Sequence, residues 1–286
     1  MKKLLLKTLA QMSSGEIVKK NGFIYSEKTI KFYSDVINSL KFEKEDILKN
    51  IQSQLQKRGA SSVTEKNYLD CVRVLMTKSG IEFKDVKTKV YQPTIHIPEP
   101  ERVWKMIREF EPATKQERWG FRFLATEFLT SARYADLSKL DQSNIHSYDG
   151  KEYLVYQQSK TGKKVSIPIT PLLKSQFSAT GYLLPKIPYS SLIKYVKKVY
   201  QKAGFTREVK SVKLVAGEMV EVTMKEFEAF GTHRMRGCSI TSMLQNGMTE
   251  LEAKQISGHS PKSQSFSRYV EFSQNHMNEK YLKFMR

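Results

Sequence analysis

Two cysteines in 286 residues, Cys71 and Cys238, stand far apart and outside any metal-ligand spacing. They supply neither a disulfide framework nor a zinc site, and they fit a reducing cytosol. No stretch approaches the ~18 apolar residues of a membrane span. The opening MKKLLLKTLAQMSSG has only three leucines before Lys7 interrupts them, too short for the apolar region of a signal peptide. The expectation is a soluble, cytoplasmic protein with no membrane partner. A Walker-type glycine loop, the clustered carboxylates of a two-metal nuclease, and glycosidase or serine-hydrolase motifs are also missing. Nothing calls for a cofactor or a metal. Acidic residues are scarce too: 29 Asp and Glu face 48 Lys and Arg, for a formal net charge of +19. Such an excess on a folded chain points to a polyanionic partner, with nucleic acid first.

What is present is a globular chain long enough for two domains, with 40% hydrophobic residues. Residues 1 to 90 read as helical. SEKTIKFYSDVINSL, from Ser26, places Ile30, Tyr33, Val36, Ile37 and Leu40 at helical spacing behind Ser26 and Thr29 as caps. Further helical patterns run from Asp46 to near Gly59, and from Ser62 to Gly80. Residues 91–100 hold three prolines and read as an extended linker. A second domain, 101–286, opens with the amphipathic ERVWKMI, and its most apolar helical run, WGFRFLATEFL, spans Trp119 to Leu129.

The pattern then turns to strand. Tyr153–Tyr156 and Val165–Ile169 flank Gln158-Ser-Lys-Thr-Gly162, a hairpin signal with Lys160 at its tip, and Asp149-Gly150 marks a tight turn before it. Pro171 to Lys202 is helical again around a loop at 183–188, and Val209 to Lys225 alternates like another strand pair around Gly217. Asn246-Gly247 stops one helix and Thr249-Glu-Leu-Glu252 has the capping-box spacing of the next. The tail after Tyr269, with Phe272, Met277, Tyr281, Leu282 and Phe284, is apolar enough to dock on something. The fold class is therefore mainly α with a small β-sheet.

Chemistry concentrates in GTHRMRGCSITSMLQNGMTELEAKQISGHSPKSQSFSRY, from Gly231 to Tyr269. His233 and Arg236, at i and i+3, share a helix face suited to hold a phosphate, since a guanidinium offers a fork of donors to two phosphate oxygens. His259 and Tyr269 return the chain to that face. Arg133 follows the most apolar helix, where an unpaired guanidinium is costly, and Asp136 is three residues away to orient it. A purely structural Arg133–Asp136 pair, and a merely solvated Lys160, are the plain readings of each alone.

In order, Arg133, Lys160, His233, Arg236, His259 and Tyr269 resemble the signature of the tyrosine recombinase (phage integrase) family: Arg, Lys, His-x-x-Arg, His or Trp, then Tyr. Thr130-Ser-Ala-Arg133-Tyr-Ala-Asp136-Leu137 stands where that family has thr-gly-leu-arg-x-x-glu-leu. Gln158-Ser-Lys160-Thr-Gly-Lys-Lys-Val-Ser-Ile-Pro168 is similar to the hairpin of lambda-type integrases, and Gly258-His259-Ser260 to the leucine-gly-his-ser box, with Ser257 in place of the leucine. The spacing from His259 to Tyr269 is one residue longer than is common in the family. The resemblance covers about residues 20 to 275. It implies a helical, SAM-like core-binding DNA-binding domain at 1–90 and a mixed α/β catalytic domain at 101–286 with a C-terminal tail.

The implied activity is site-specific DNA recombination. DNA is cleaved and rejoined through a 3′-phosphotyrosyl link on Tyr269, with Arg133 and Arg236 clamping phosphate oxygens and His259 adding a hydrogen bond. His233 is then the general base and Lys160 the general acid to the departing 5′-oxygen. The implied partners are double-stranded DNA, a homo-tetramer on that DNA and accessory directionality factors; no metal or cofactor is required. An integrase of a phage or other mobile element is the leading reading. A Xer-type dimer resolvase, a type IB topoisomerase and a DNA-binding module with lapsed catalysis are the alternatives.

Overall fold

The computed structural model describes all residues except 44, 45, 92–95, 217, 262, 264, 265, 268, 270–281, 283, 284 and 286. The tail residues Phe272, Met277, Tyr281 and Phe284, and part of the 91–100 linker, thus lie outside the described residues. The chain divides into two compact units, Met1–Ile95 with Lys210–Thr223, and His96–Val209 with Met224–Arg286. Among the described residues no helix is long and apolar enough to cross a membrane.

The first unit is built on four helices, α1 (Lys2–Ser14), α2 (Glu27–Ser39), α3 (Ile47–Lys57) and α4 (Ser62–Lys78). Ser26 caps α2 by accepting from the Thr29 amide, and Ser61 caps α4 by accepting from that of Thr64. Each cap satisfies an amide the helix itself leaves unpaired. The apolar stripes close on one core, with Leu5, Met12, Ile37, Leu48, Ile51, Leu69, Val72 and Leu75 all fully buried. Each contributes about 1.5–3 kcal/mol relative to exposure.

The second unit centres on α6 (Lys115–Thr130). Around it lie α5 (Pro100–Glu109), α7 (Tyr134–Leu137), α8 (Pro171–Lys174), α9 (Tyr189–Lys202), α10 (Glu226–Ala229), α11 (Thr232–Gln245) and α12 (Glu250–Ser257). Helices α9 and α11 both pack on α6. The α9 backbone comes so near that a Cβ on Gly120 would stand 2.9 Å from the Tyr195 carbonyl carbon. Glu117 of α6, fully buried, ties α9 down through Lys198 and Lys202 at 3.0 and 2.8 Å. Their charges, with the amide of Ala113, hold its carboxyl at about 2.

An antiparallel sheet of β1 (Ile145–Tyr148), β2 (Lys151–Gln157) and β3 (Lys164–Pro168) covers one flank. β1 is absent from the sequence-based expectation, although its turn is present there. Asp149 and Gly150 both take positive φ, 47° and 70°, as a type I′ turn requires. Leu154 of β2 pairs with Ile145 and Ile167 on either side, and Tyr156 pairs with Val165.

Two expectations need correction. Helix is expected on both sides of a loop at 183–188; α9 begins where that loop ends, but α8 stops at Lys174 and the chain over 175–188 is irregular. The strands β4 (Glu208–Val215) and β5 (Glu218–Lys225) form where alternation predicts them, but Lys210–Thr223 group with the first unit and not with the 101–286 stretch. Val215 makes a β-bridge to Ser61, ahead of α4. Composition along the chain cannot reveal such an excursion, because a hairpin carries no label for the core it joins.

Candidate active site

Three chain segments meet at the C-terminal end of α6. The first is the turn after that helix. Ser131 takes φ 51°, reversing the chain so that Arg133 leaves the helix axis and stands just ahead of α7, with its side chain not bonded to that helix's amides. The second is the β2–β3 hairpin. Its inward face continues the alternation Leu154, Tyr156, Gln158, all buried, and its tip carries exposed Lys160. The third is α11 with α12 and the residues that follow.

Arg236 of α11 lies at the centre. It is the largest fully buried side chain among the described residues. Its Nη1 donates to the Ser131 carbonyl, and its Nη2 donates to the Ser257 carbonyl at 2.7 Å. Nη2 also lies 3.3 and 3.4 Å from the two ring nitrogens of His259. Its Nε is buried without a hydrogen-bond partner. Loss of hydration and then the charge of Arg133 lower its pKa to about 10, which still leaves it charged at neutral pH.

Arg133 is not primarily the partner of Asp136. It donates to Gln158 Oε1 at 2.8 Å, whereas its distance to Asp136 Oδ2 is 4.0 Å, the limit of an ion pair. Asp136 accepts instead from the Ser159 amide at 2.8 Å and so anchors the hairpin. Gln158, 1% exposed, joins all three segments: besides Arg133 it accepts from Thr161 Oγ1 at 2.8 Å and donates to the Ser257 carbonyl at 2.9 Å. The φ of 67° at Gly258 ends α12, and a side chain there would collide with the Gln158 amide.

His259 is buried, its Nδ1 2.7 Å from Ser257 Oγ. Its pKa is lowered to about 3 by desolvation first, then by Arg236, Arg133, His233 and Lys163. His233 stands in the first turn of α11 and is exposed. Its pKa is lowered to about 4 by desolvation, then by the charges of Arg236, Arg234, Arg133 and Lys160. A surface open to water and a desolvation cause pull against each other. Four cations act on the ring in the same sense, and both imidazoles are neutral at pH 7.

Tyr269 packs its ring against His259 and Phe266, with centroids 6.1 and 5.9 Å apart, both edge to face. Gly237 makes room: a Cβ there would lie 3.0 Å from Tyr269 Cε1. Five of the predicted residues, Arg133, His233, Arg236, His259 and Tyr269, are thus joined by direct contact or mutual field. Lys160 is linked only through its charge on His233. Gln158 and Ser257 were not among the predicted site residues. For Gln158 the strand alternation through Leu154 and Tyr156 is a usable signal; for Ser257 only its exchange for an apolar residue is.

Among the described residues, no group of three His, Cys, Asp or Glu is placed to hold a metal ion. No sequence-family profile matches the chain, and no curated protein matches it. Solved structures do. A lambda integrase tetramer bound to a Holliday junction matches with a TM-score of 0.59 and 18% identity, over 92% of this chain and 78% of that one. The XerH site-specific recombinase, in a post-cleavage complex with its palindromic difH substrate, matches with a TM-score of 0.58 and 13% identity, over 99% and 95%. The Tn1549 transposon integrase, bound to circular intermediate DNA, gives 0.56 and 14%, over 93% and 94%. The fold is that of the tyrosine recombinases. The expected class, mainly α with a small β-sheet and this catalytic architecture, is borne out.

Proposed function

We propose that this protein is a site-specific DNA recombinase that breaks and rejoins DNA through a 3′-phosphotyrosyl intermediate on Tyr269. The observation that carries the reading is the buried, doubly carbonyl-bound Arg236, adjoining Arg133, His259 and the Tyr269 ring in a tyrosine recombinase fold. A guanidinium that has already lost its water and is fixed by two carbonyls needs no reorganisation when negative charge develops on a phosphorane. Its Nε is a buried donor with no acceptor among the described residues, and a non-bridging phosphate oxygen is the acceptor that suits it. Arg133 supplies the second fork, held through Gln158.

The reaction is then an in-line displacement. The Tyr269 oxygen forms a bond to phosphorus, the 5′-oxygen leaves, and the phosphodiester energy is retained in the tyrosyl ester. Ionising a free phenol at neutral pH costs about 4 kcal/mol. Neutral His233 takes that proton, and the field of two arginines stabilises the phenolate. Lys160, on a solvated hairpin tip, gives a proton to the departing 5′-oxygen. Attack by a 5′-hydroxyl reverses the step on the same or another strand.

In this reading residues 1–90, with which 210–223 group, form a core-binding domain, 91–100 a linker and the rest of 101–286 the catalytic domain with its tail. Double-stranded DNA is the partner and a tetramer on two duplexes the working assembly, serving a phage or other mobile element with accessory directionality factors. The net charge of +19 supports a polyanionic partner. The test is covalent capture on a pool of nicked, random-sequence duplexes, where loss of the short strand traps the adduct. Adducts that survive denaturation, map to Tyr269 by mass spectrometry and carry an enriched DNA sequence are expected. An adduct on another residue reassigns the nucleophile, relaxation of supercoils without sequence preference favours a topoisomerase, and DNA binding without adduct favours a lapsed enzyme.

A further inference from the structure

Ser257 is fully buried at the end of α12, two residues before His259. Its backbone carbonyl already serves the site, accepting from Arg236 and Gln158. Its hydroxyl has a separate part. Oγ lies 2.6 Å from the Ala253 carbonyl, one turn back, and 2.7 Å from His259 Nδ1. A carbonyl oxygen only accepts, so the single hydroxyl proton of Ser257 is committed to Ala253. Toward His259 the hydroxyl therefore presents a lone pair, and Nδ1 must carry the ring proton. A neutral imidazole has one N–H, which leaves Nε2 bare. The Arg236 Nη2 lies 3.3 Å from Nδ1 and 3.4 Å from Nε2, and of the two only the bare Nε2 can accept from it.

The consequence concerns the phosphate, and it rests on the recombinase reading above. A phosphate oxygen carries only lone pairs and cannot bond to a bare Nε2. We propose that Ser257 is a positioning residue that locks His259 in the Nδ1–H tautomer, so that His259 donates to the scissile phosphate only after Nε2 takes a proton from solvent. The proton balance is simple: as the phosphodiester seats, solvent gives one proton to Nε2, which gains an N–H bond and the ring a positive charge, and the proton returns to solvent when the phosphate leaves. Among the described residues, the charged and titratable groups that face the imidazole in the free protein oppose this uptake: Arg236 and nearby His233 on α11, Arg133 from the turn after α6, and Lys163 of the hairpin, whose Nζ lies 3.4 Å from the His259 carbonyl. The Lys254 ammonium of α12 lies over the Phe266 ring, which meets His259 edge to face, and the Tyr269 ring closes the remaining side. The negative charge of the seated phosphodiester is what reverses that field. His259 would thus be a proton-gated contact, silent until substrate is seated, in place of a permanently available donor.

The lock is read directly by 15N NMR of the histidine-labelled full chain, with the His259 signals assigned by their loss in His259→Gln. At neutral pH the wild type should show Nδ1 protonated and Nε2 bare. Ser257→Ala, which keeps the backbone carbonyl and removes the acceptor, should shift His259 toward Nε2–H. The gate is read on DNA recovered from the capture pool. The wild-type rate of covalent adduct formation should fall by about tenfold per pH unit above the pKa of the DNA-bound imidazole, whereas Ser257→Ala should be flatter by most of that slope. Calorimetry of DNA binding in two buffers of different ionisation enthalpy should find close to one more proton taken up per protomer by wild type than by the variant.

A wild-type His259 with Nε2 protonated overturns the lock, as does an unchanged tautomer in Ser257→Ala. Equal pH slopes and equal proton uptake overturn the gate. If Ser257→Ala does not fold, the wild-type tautomer alone still decides the lock, and Ser257→Cys, a much weaker acceptor of similar size, replaces it for the gate. If no DNA gives an adduct, the recombinase reading fails and the proton gate with it, while the NMR result still judges the lock by itself.

Discussion

The floor and the rim of the candidate site are built on opposite principles. On the floor, Arg236 and His259 are buried, and the guanidinium is bound to two backbone carbonyls fixed by helix ends and by Gln158. At the rim, Lys160 rides on a hairpin tip and His233 is exposed at the first turn of α11. Charge buried without water is expensive and must be held by the fold, so the floor ties stability to function. Charge at the rim remains solvated and can move with a bound substrate. The difference teaches which substitutions should damage chemistry alone and which should damage the protein as well.

The largest effect should come from the one group with no substitute. Tyr269→Phe should abolish covalent attachment to DNA while leaving DNA affinity within about twofold, as measured on the capture pool and by filter binding. Undiminished adduct would separate Tyr269 from the chemistry.

Next, the two arginines should part company. Arg236→Ala should cut adduct formation by at least about 10³-fold and also destabilise the fold by about 2–4 kcal/mol, because the buried Ser131 carbonyl loses its donor, the Ser257 carbonyl keeps only Gln158, and the large buried side chain leaves a cavity. Arg133→Ala should cost similar activity yet leave the melting temperature within a few degrees, since its contacts are to the side chains of Gln158 and, loosely, Asp136. Lysine at either position should rescue poorly, because a point charge cannot replace a fork. Equal loss of stability in both alanine variants would erase the distinction between deep and shallow arginine.

At the rim, Lys160→Ala should slow cleavage by about 10²–10⁴-fold, the usual range for a general acid, with no change in thermal melting. A substrate with a sulfur leaving group at the 5′ position needs no proton, so it should restore most of the rate. Failure of that rescue would move the general acid elsewhere.

The smallest effect is on stability against pH. His233 and His259 have folded-state values lowered to about 4 and about 3, below the ordinary value of 6.5. The unfolded chain therefore binds more protons in that interval, and their contribution, complete above about pH 6.5, is lost as pH falls through the folded values. Denaturant midpoints should drop from pH 7 to 4, and His259→Gln should flatten part of the slope. Because His233 is open to solvent, its share should be the lesser.

The sequence carried far into this site, and where it stopped is instructive. Periodicity located the main helices because an apolar stripe every three to four residues is a local property, readable at Ile30 through Leu40. Capping chemistry is equally local, and Ser26 and Thr249 cap the helices their spacing indicates. The order Arg133, Lys160, His233, Arg236, His259, Tyr269 was legible as a resemblance. That Asp136 holds the hairpin and not Arg133 was not legible, since the i, i+3 spacing suits a pair whose partners the fold then separates to 4.0 Å.

By itself the sequence determined the helical character, the positions of turns where Asp149-Gly150 and Gly247 take positive φ, the basic composition and the set of candidate groups. Only the tertiary structure decided which of those groups are desolvated, that Gln158 and Ser257 join segments up to about a hundred residues apart, and that Lys210–Thr223 belong with the first unit. The physical reason is that propensity, capping and alternation act between neighbours in the chain. Hydrogen bonds to buried charges and the field that sets a histidine's pKa depend on distance in space, which no local pattern contains.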